Sequence, residues 1–156
     1  MERDLALQCA GGTFNYRVTD VVIERGAVLI QKRRGDDVWA LPGGCCAFWE
    51  TSRQALRREF REELGVGAEV SELLWVVENF CKLGAPCHEL LFCYGVRLQG
   101  ILPVATLDEA GERGDLDFRW LPVRELRSVR LRPAFLQEAL RHLPETVGHL
   151  VCGTAG

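Results

Sequence analysis

Residues 51–66, TSRQALRREFREELGV, constrain the fold most tightly because they are punctuated as a helix at both ends. Thr51 and Gln54 have the spacing of a capping box, and Gly65 stands where a C-cap glycine belongs, which predicts a helix over about 51–64. Leu56, Phe60 and Leu64 recur every four residues and form its core stripe. Glu59, Glu62 and Glu63 fall together on a neighbouring face. Like charges four residues apart, as in Glu59 and Glu63, cost a bare helix a few tenths of a kcal/mol. A hard divalent cation reverses that sign, and all-oxygen carboxylate ligation suits Mg²⁺ or Mn²⁺. The bland alternative is a solvated acidic face neutralised by Arg57, Arg58 and Arg61.

The flanking sequence reads as strands. RVTDVVIE (17–24), a turn at RG, and AVLIQKR (27–33) predict a hairpin, and Pro42, Gly43 and Gly44 mark a tight loop leading into the helix. AEVSELLWVVENFC and HELLFCYGVRL predict a second hairpin around KLGAPC. GILPVATLDEAGERGDLD reads as a surface loop, FRWLPV as a short strand and VREL as a brief helix start. PAFLQEALRHL predicts a terminal helix with Pro133 in its first turn, and the tail after about 146 is expected to be loosely held. Trp39 is expected to anchor the core.

A chain of 156 residues suffices for one domain, taken as 1–156 with a core of about 17–142. The net charge of −3 argues against a nucleic-acid-binding surface, which needs an excess of Lys and Arg. No stretch approaches the roughly 20 apolar residues of a membrane span, and the N-terminus lacks a signal peptide's apolar core. Seven cysteines without a CxxC pair read as reduced thiols of a cytoplasmic protein. Cys81, Cys87 and His88 could form a metal cluster, but the plainer reading as buried or half-buried strand residues is preferred. A homodimer stays open.

From Gly44 onward, GCCAFWETSRQALRREFREELGV contains Gly, five residues, Glu, seven residues, then Arg-Glu-apolar-x-Glu-Glu-x-Gly-apolar. This resembles the signature box of the Nudix hydrolases, MutT-like enzymes, complete over residues 44–66. VLIQKRRGDDVWALPGG and RWLPVREL resemble the family's surroundings of that box. The implied fold is α/β, a mixed β-sheet sandwiched between helices (α/β/α). The resemblance implies that Glu59, Glu62 and Glu63 hold the catalytic Mg²⁺, with Mn²⁺ a substitute, and that a carbonyl of Gly43 or Gly44 adds a backbone ligand. Glu50 is then an additional carboxylate beside the cluster, and Arg58 orients a glutamate by ion pairing.

The family reaction is hydrolysis of a nucleoside diphosphate linked to another moiety. A carboxylate must take a proton from the attacking water, with Glu59, Asp108, Glu109, Glu112 and Asp115 as candidates. A nucleotide-binding module without turnover is the alternative function. The box departs from common usage at Ala47 and Trp49, where a glutamate and a glycine are frequent, and at Phe60. No proline lies about fifteen residues beyond the box and position 82 is Lys, so the marks of ADP-ribose and dinucleoside polyphosphate hydrolases are missing. That leaves nucleoside or deoxynucleoside triphosphates, or a less common diphosphate. Arg33 and Arg34 are candidates for phosphate, and Phe48, Trp49, Glu78 and His88 for base or sugar, with Trp75, Asn79, Phe80 and Glu89 also available.

Overall fold

The computed structural model describes residues 4–81, 84–100 and 116–153. Its elements, in order, are β1 (Ala6–Cys9), β2 (Gly12–Val21), β3 (Ile23–Glu24), β4 (Ala27–Arg33), β5 (Val38–Trp39), β6 (Gly43–Cys45) and α1 (Ser52–Leu64). There follow β7 (Gly67–Cys81), β8 (Cys87–Gln99), β9 (Leu116–Pro122), a 3₁₀ helix (Val123–Ser128), β10 (Arg130–Leu131), α2 (Leu136–Ala139) and β11 (Gly148–Cys152). The main sheet runs β1-β2-β8-β7-β11, with β6 added to β2. It is mixed: β2 lies parallel to β8 and β11 parallel to β7, whereas β7 and β8 are antiparallel. A second sheet, β3-β4-β9, is wholly antiparallel, and β5 pairs with β10.

The expected helix forms with both punctuation signals in place. Thr51 Oγ1 accepts from the Gln54 N–H at 3.2 Å while Gln54 Oε1 accepts from the Thr51 N–H at 2.9 Å. Gly65 closes the helix in the left-handed conformation, its N–H bonded to the Arg61 carbonyl. Leu56, Phe60 and Leu64 are buried, and with Ala55 they pack on Val18, Val70, Tyr94 and Val96 from the main sheet. The opposite sheet face buries Val77, Leu91 and Cys93 against Ile30, Leu121, Leu126, Leu136 and Leu140. The sheet therefore lies between α1 and a second layer of β-strands, 3₁₀ helix and α2. Among the described residues no helix is long and apolar enough to cross a membrane.

Three expectations need correction. The first hairpin is real but short: β3 and β4 turn at Arg25-Gly26, both at positive φ, while β2 belongs to the other sheet. The chain changes sheets at Val22, whose carbonyl still accepts from the Leu29 N–H. The terminal helix contracts to α2, because the N–H groups of Leu136, Gln137 and Glu138 reach back three residues, to Pro133, Ala134 and Phe135. The tail is not loosely held but forms β11, which turns Leu150 and Cys152 toward the second core. Gly148 permits that docking, since a Cβ there would lie 2.9 Å from Cδ1 of Trp75. Trp39 is half-buried against the same core, with Lys32 Nζ 5.0 Å from its ring centroid.

Candidate active site

Two close backbone approaches set the geometry. β6 pairs with β2 through Thr19–Gly43, Val18–Gly44 and Arg17–Cys45, pressing the loop against the inner face of α1. A Cβ on Gly43 would fall 2.0 Å from the Val18 carbonyl oxygen, and one on Gly44 would fall 2.3 Å from Cδ of Glu59. Glycine is therefore required at Gly43, where a Cβ would strike backbone, and at Gly44 the missing side chain is what lets the Glu59 carboxylate rest against the loop. The resulting cleft, about 470 Å³, is lined by Gly43, Gly44, Glu59 and Glu63 together with Asp4, Arg17, Lys32 and Arg33.

Arg58 organises the carboxylates on this side of α1. Its Nε and Nη2 grip both oxygens of Glu50 at 2.8 and 2.9 Å, and Nη2 also donates to the Cys45 carbonyl at 3.1 Å. Nη1 donates to Glu59 Oε1 at 2.6 Å and reaches Glu62 Oε2 at 3.4 Å. Glu50 in turn accepts from the Ala47 N–H at 3.0 Å, which closes the loop into the helix. Hydrogen bonding to Arg58 lowers the pKa of Glu50, and Arg58 itself is held firmly protonated by Glu50.

The inner carboxylates behave oppositely. Burial raises Glu59 despite its Arg58 bond, and burial followed by the charge of Glu59 pushes Glu63 up to about 8. Asp20, buried on β2, is raised well above the ordinary range by burial and then by Glu63. Its Oδ1 lacks a hydrogen-bond partner among the described residues. Crowded acids, an orphaned carboxylate oxygen and an all-oxygen donor set fit a hard divalent cation, which would relieve the repulsion. Glu59, Glu63 and the Gly43–Gly44 backbone are the groups positioned to hold one, with Glu62 on the same helix but 60% exposed.

The remaining candidates disperse. Arg33 lines the cleft, whereas Arg34 lies 3.6 Å from Asp117 in an exposed pair. Phe48 and Trp49 project from the loop surface, Trp49 fully exposed, and neither lines the cleft. Trp49 has φ +63, a left-handed backbone that favours glycine, and an indole occupies it. Strand alternation divides the second hairpin: Asn79 and Glu89 point to one sheet face and hydrogen-bond at 2.9 Å, while Glu78 and His88 point to the other. There Glu78 pairs with His149 and His88 stacks on Phe80. Asp108, Glu109, Glu112 and Asp115 lie outside the described residues. Sequence reasoning missed Arg17, Asp20 and Lys32; for Asp20 the readable signal was a carboxylate inside the apolar run VTDVVI.

The NUDIX domain model matches residues 15–143, and the chain belongs to the Nudix family. It is 32% identical over 125 residues to a provisionally named mutator protein MutT4 of Mycobacterium tuberculosis (strain CDC 1551 / Oshkosh), covering 76% of this chain and 44% of that protein. It is also 32% identical over 127 residues to a provisionally named 8-oxo-dGTP diphosphatase 3 of the same strain, covering 78% and 57% respectively. The chain thus spans about half the length of these curated relatives. The solution structure of the E. coli ORF135 protein superposes with a TM-score of 0.59 at 27% identity, over 82% of this chain and 89% of that one. Nudix hydrolases generally use divalent metal ions.

Proposed function

We propose that the chain is a Mg²⁺-dependent pyrophosphohydrolase of small nucleotides, with (d)NTPs the favoured class. The observation that carries this reading is the pair of half-buried carboxylates, Glu59 and Glu63, set against a side-chain-free Gly43–Gly44 backbone in a cleft that also presents Arg17, Lys32 and Arg33. Acid and base have separate tasks there. Glu59 and Glu63, with Glu62 from the same helix, would hold the ion, and the three cations would meet the negative oxygens of a polyphosphate. When bound, the ion polarises the phosphorus centre, lowers the pKa of water and offsets charge on the departing phosphate. Arg58 donates to Oε1 of Glu59, so that Oε2 would be the oxygen available to a bound ion. Among the described residues the carboxylates that line the cleft are Asp4, Asp36, Glu59 and Glu63, and of these Glu59 and Glu63 lie beside the Gly43–Gly44 backbone as candidate proton acceptors, while Glu50 is occupied by Arg58.

A second cavity of about 470 Å³ shares Val38 with the cleft and presents Asn79, Phe80, Phe135, Arg130 and Arg132. Rings, an amide and cations suit a base and sugar beside a phosphate site. The relative named for 8-oxo-dGTP also favours a triphosphate. The test is release of phosphate and pyrophosphate from a panel of (d)NTPs, nucleotide sugars, ADP-ribose and dinucleoside polyphosphates. Turnover with Mg²⁺ that EDTA abolishes is expected for (d)NTPs. Metal binding without turnover of any compound would replace this reading with the nucleotide-binding module.

A further inference from the structure

Two cysteines and a glutamate converge next to the carboxylate cleft, with Arg17, which lines the cleft, lying 3.8 Å from the glutamate. Cys81 ends β7 and Cys87 begins β8, and the two stand opposite each other as the last pair of the ladder. Glu89, two residues along β8, shares their face, and one ligand atom from each of the three residues lies within 4.8 Å of the others. Steps of two along a strand keep side chains on one face. The same alternation removes His88, which turns away to stack on Phe80 with ring centroids 4.3 Å apart. The cluster set aside in the sequence in favour of plain strand residues thus keeps its two thiols and exchanges imidazole for carboxylate.

We propose that Cys81 Sγ, Cys87 Sγ and the Glu89 carboxylate form a binding site for one thiophilic divalent cation of the Zn²⁺ class, with the fourth coordination position left to water. Around a tetrahedral zinc, with Zn–S about 2.3 Å and Zn–O about 2.1 Å, donor atoms lie roughly 3.5–3.8 Å apart, so the observed spread closes with about 1 Å of side-chain movement. Softness separates this site from the proposed Mg²⁺ site: thiolates select zinc-like ions, whereas the carboxylates and backbone carbonyls of the cleft suit magnesium.

The surroundings are those of a supported ligand set. Glu89 Oε2 accepts from Asn79 Nδ2 at 2.9 Å and Oε1 lies 3.8 Å from Arg17 Nε, and a carboxylate has lone pairs enough to keep both neighbours while ligating. Asn15 Nδ2 donates to Cys87 Sγ at 3.4 Å, a bond that a thiolate strengthens. Cys81 donates its S–H to the Cys87 carbonyl at 3.4 Å. On binding, that proton and the Cys87 thiol proton leave to solvent and each sulfur gives a lone pair to the ion. Two thiolates and a carboxylate then exceed the ion's charge by one, and Arg17 supplies the balance.

Co²⁺ titration of the reduced, full chain tests the site independently of any hydrolase activity. The expected result is thiolate-to-Co²⁺ charge-transfer absorption in the near ultraviolet with visible bands of four-coordinate geometry, saturating at one ion per chain and displaced by Zn²⁺. Carboxylates alone give no such charge transfer, so Co²⁺ held in the cleft is distinguishable. The double variant Cys81→Ser/Cys87→Ser should abolish the band, and Cys45→Ser should leave it. Glu89→Gln should weaken binding by roughly tenfold or more. Absence of the band at saturating Co²⁺, or its survival in the double variant, overturns the proposal. Should the double variant fail to fold, the glutamine variant decides, and unchanged affinity there overturns the three-ligand site.

Discussion

The two ends of the molecule contain the same chemical pairings under opposite conditions. Beside α1, Arg58 and its partners Glu50 and Glu59 are 30%, 15% and 15% exposed. At the C-terminal side, Arg127 binds Glu138 through Nε at 2.7 Å, but these side chains are 69% and 61% exposed. Water and salt screen the second pair, whereas the first has lost much of its hydration and depends on its partners. An ion pair's worth is therefore set by where the fold puts it, and charge clusters mark function only where burial makes them costly.

The sharpest way to break this comparison is to neutralise the inner carboxylates. Glu63→Gln or Glu59→Gln should lower turnover on the order of 100- to 1000-fold, the range typical for loss of one preorganised charged group. Folding should survive, because burial disfavours the charged form of both side chains in the metal-free protein and a neutral amide of the same shape replaces each. Initial rates of pyrophosphate release beside circular-dichroism melting curves read both quantities. Near-normal turnover in both variants would end the site assignment.

Next in size is the Arg58 hub. Arg58→Ala strands the carboxylates of Glu50 and Glu59 and leaves the Cys45 carbonyl without its donor, which should cost about 2 kcal/mol in urea unfolding after allowance for partial exposure. Arg58→Lys should recover only part of this, because an ammonium cannot grip both Glu50 oxygens in parallel while reaching Glu59. Full recovery would mean that charge alone matters there and that the fork geometry does not.

These local effects were the most legible in the sequence. Capping box, glycine C-cap, four-residue stripe and the Nudix box overlap within residues 44–66, so each reading constrains the others. The same density made Arg58 and Glu50 identifiable. Parity on long strands was harder: Glu78, Asn79, His88 and Glu89 looked equivalent in sequence, and only the ladder register sends Asn79 and Glu89 to one face and Glu78 and His88 to the other. The C-terminus was less legible still. Residues 136–140 have a helical pattern in either 3₁₀ or α geometry, and β11 is specified by a distant partner, Trp75–Asn79, rather than by its own propensity. Arg17 and Lys32 reach the cleft from two different sheets, a juxtaposition no local spacing encodes.

The pH dependence sharpens the contrast within the active site. Glu63 titrates near 8 in the fold against 4.5 ordinarily, so the folded state holds a proton the unfolded chain releases. Its contribution is fully present below about 4.5 and is lost as pH rises through about 8, with a slope of at most about 1.4 kcal/mol per pH unit. Glu59 and Asp20 are raised and share this sign. Glu50 is lowered, so its contribution is instead lost as acid protonates it. The metal-free protein should therefore lose stability between pH 5 and 8, and saturating Mg²⁺ should raise the melting temperature more at pH 8 than at pH 5. An equal Mg²⁺ shift at both values would separate ion binding from these carboxylates.

The smallest expected effect closes the comparison. Glu138→Ala removes the acidic partner of Arg127 at the surface, where measured exposed pairs contribute between zero and about 1 kcal/mol. The rest of the junction does not depend on it. Gln137 Nε2 still donates to the Val129 carbonyl at 2.8 Å, and Leu126, Leu136 and Leu140 remain buried together. Alanine also suits a helical position better than glutamate by a few tenths of a kcal/mol, which offsets part of the lost attraction. The change in unfolding free energy should stay within about 0.5 kcal/mol and shrink further in high salt. A loss near 2 kcal/mol, equal to that of Arg58→Ala, would show that exposure does not separate the two ends of the molecule.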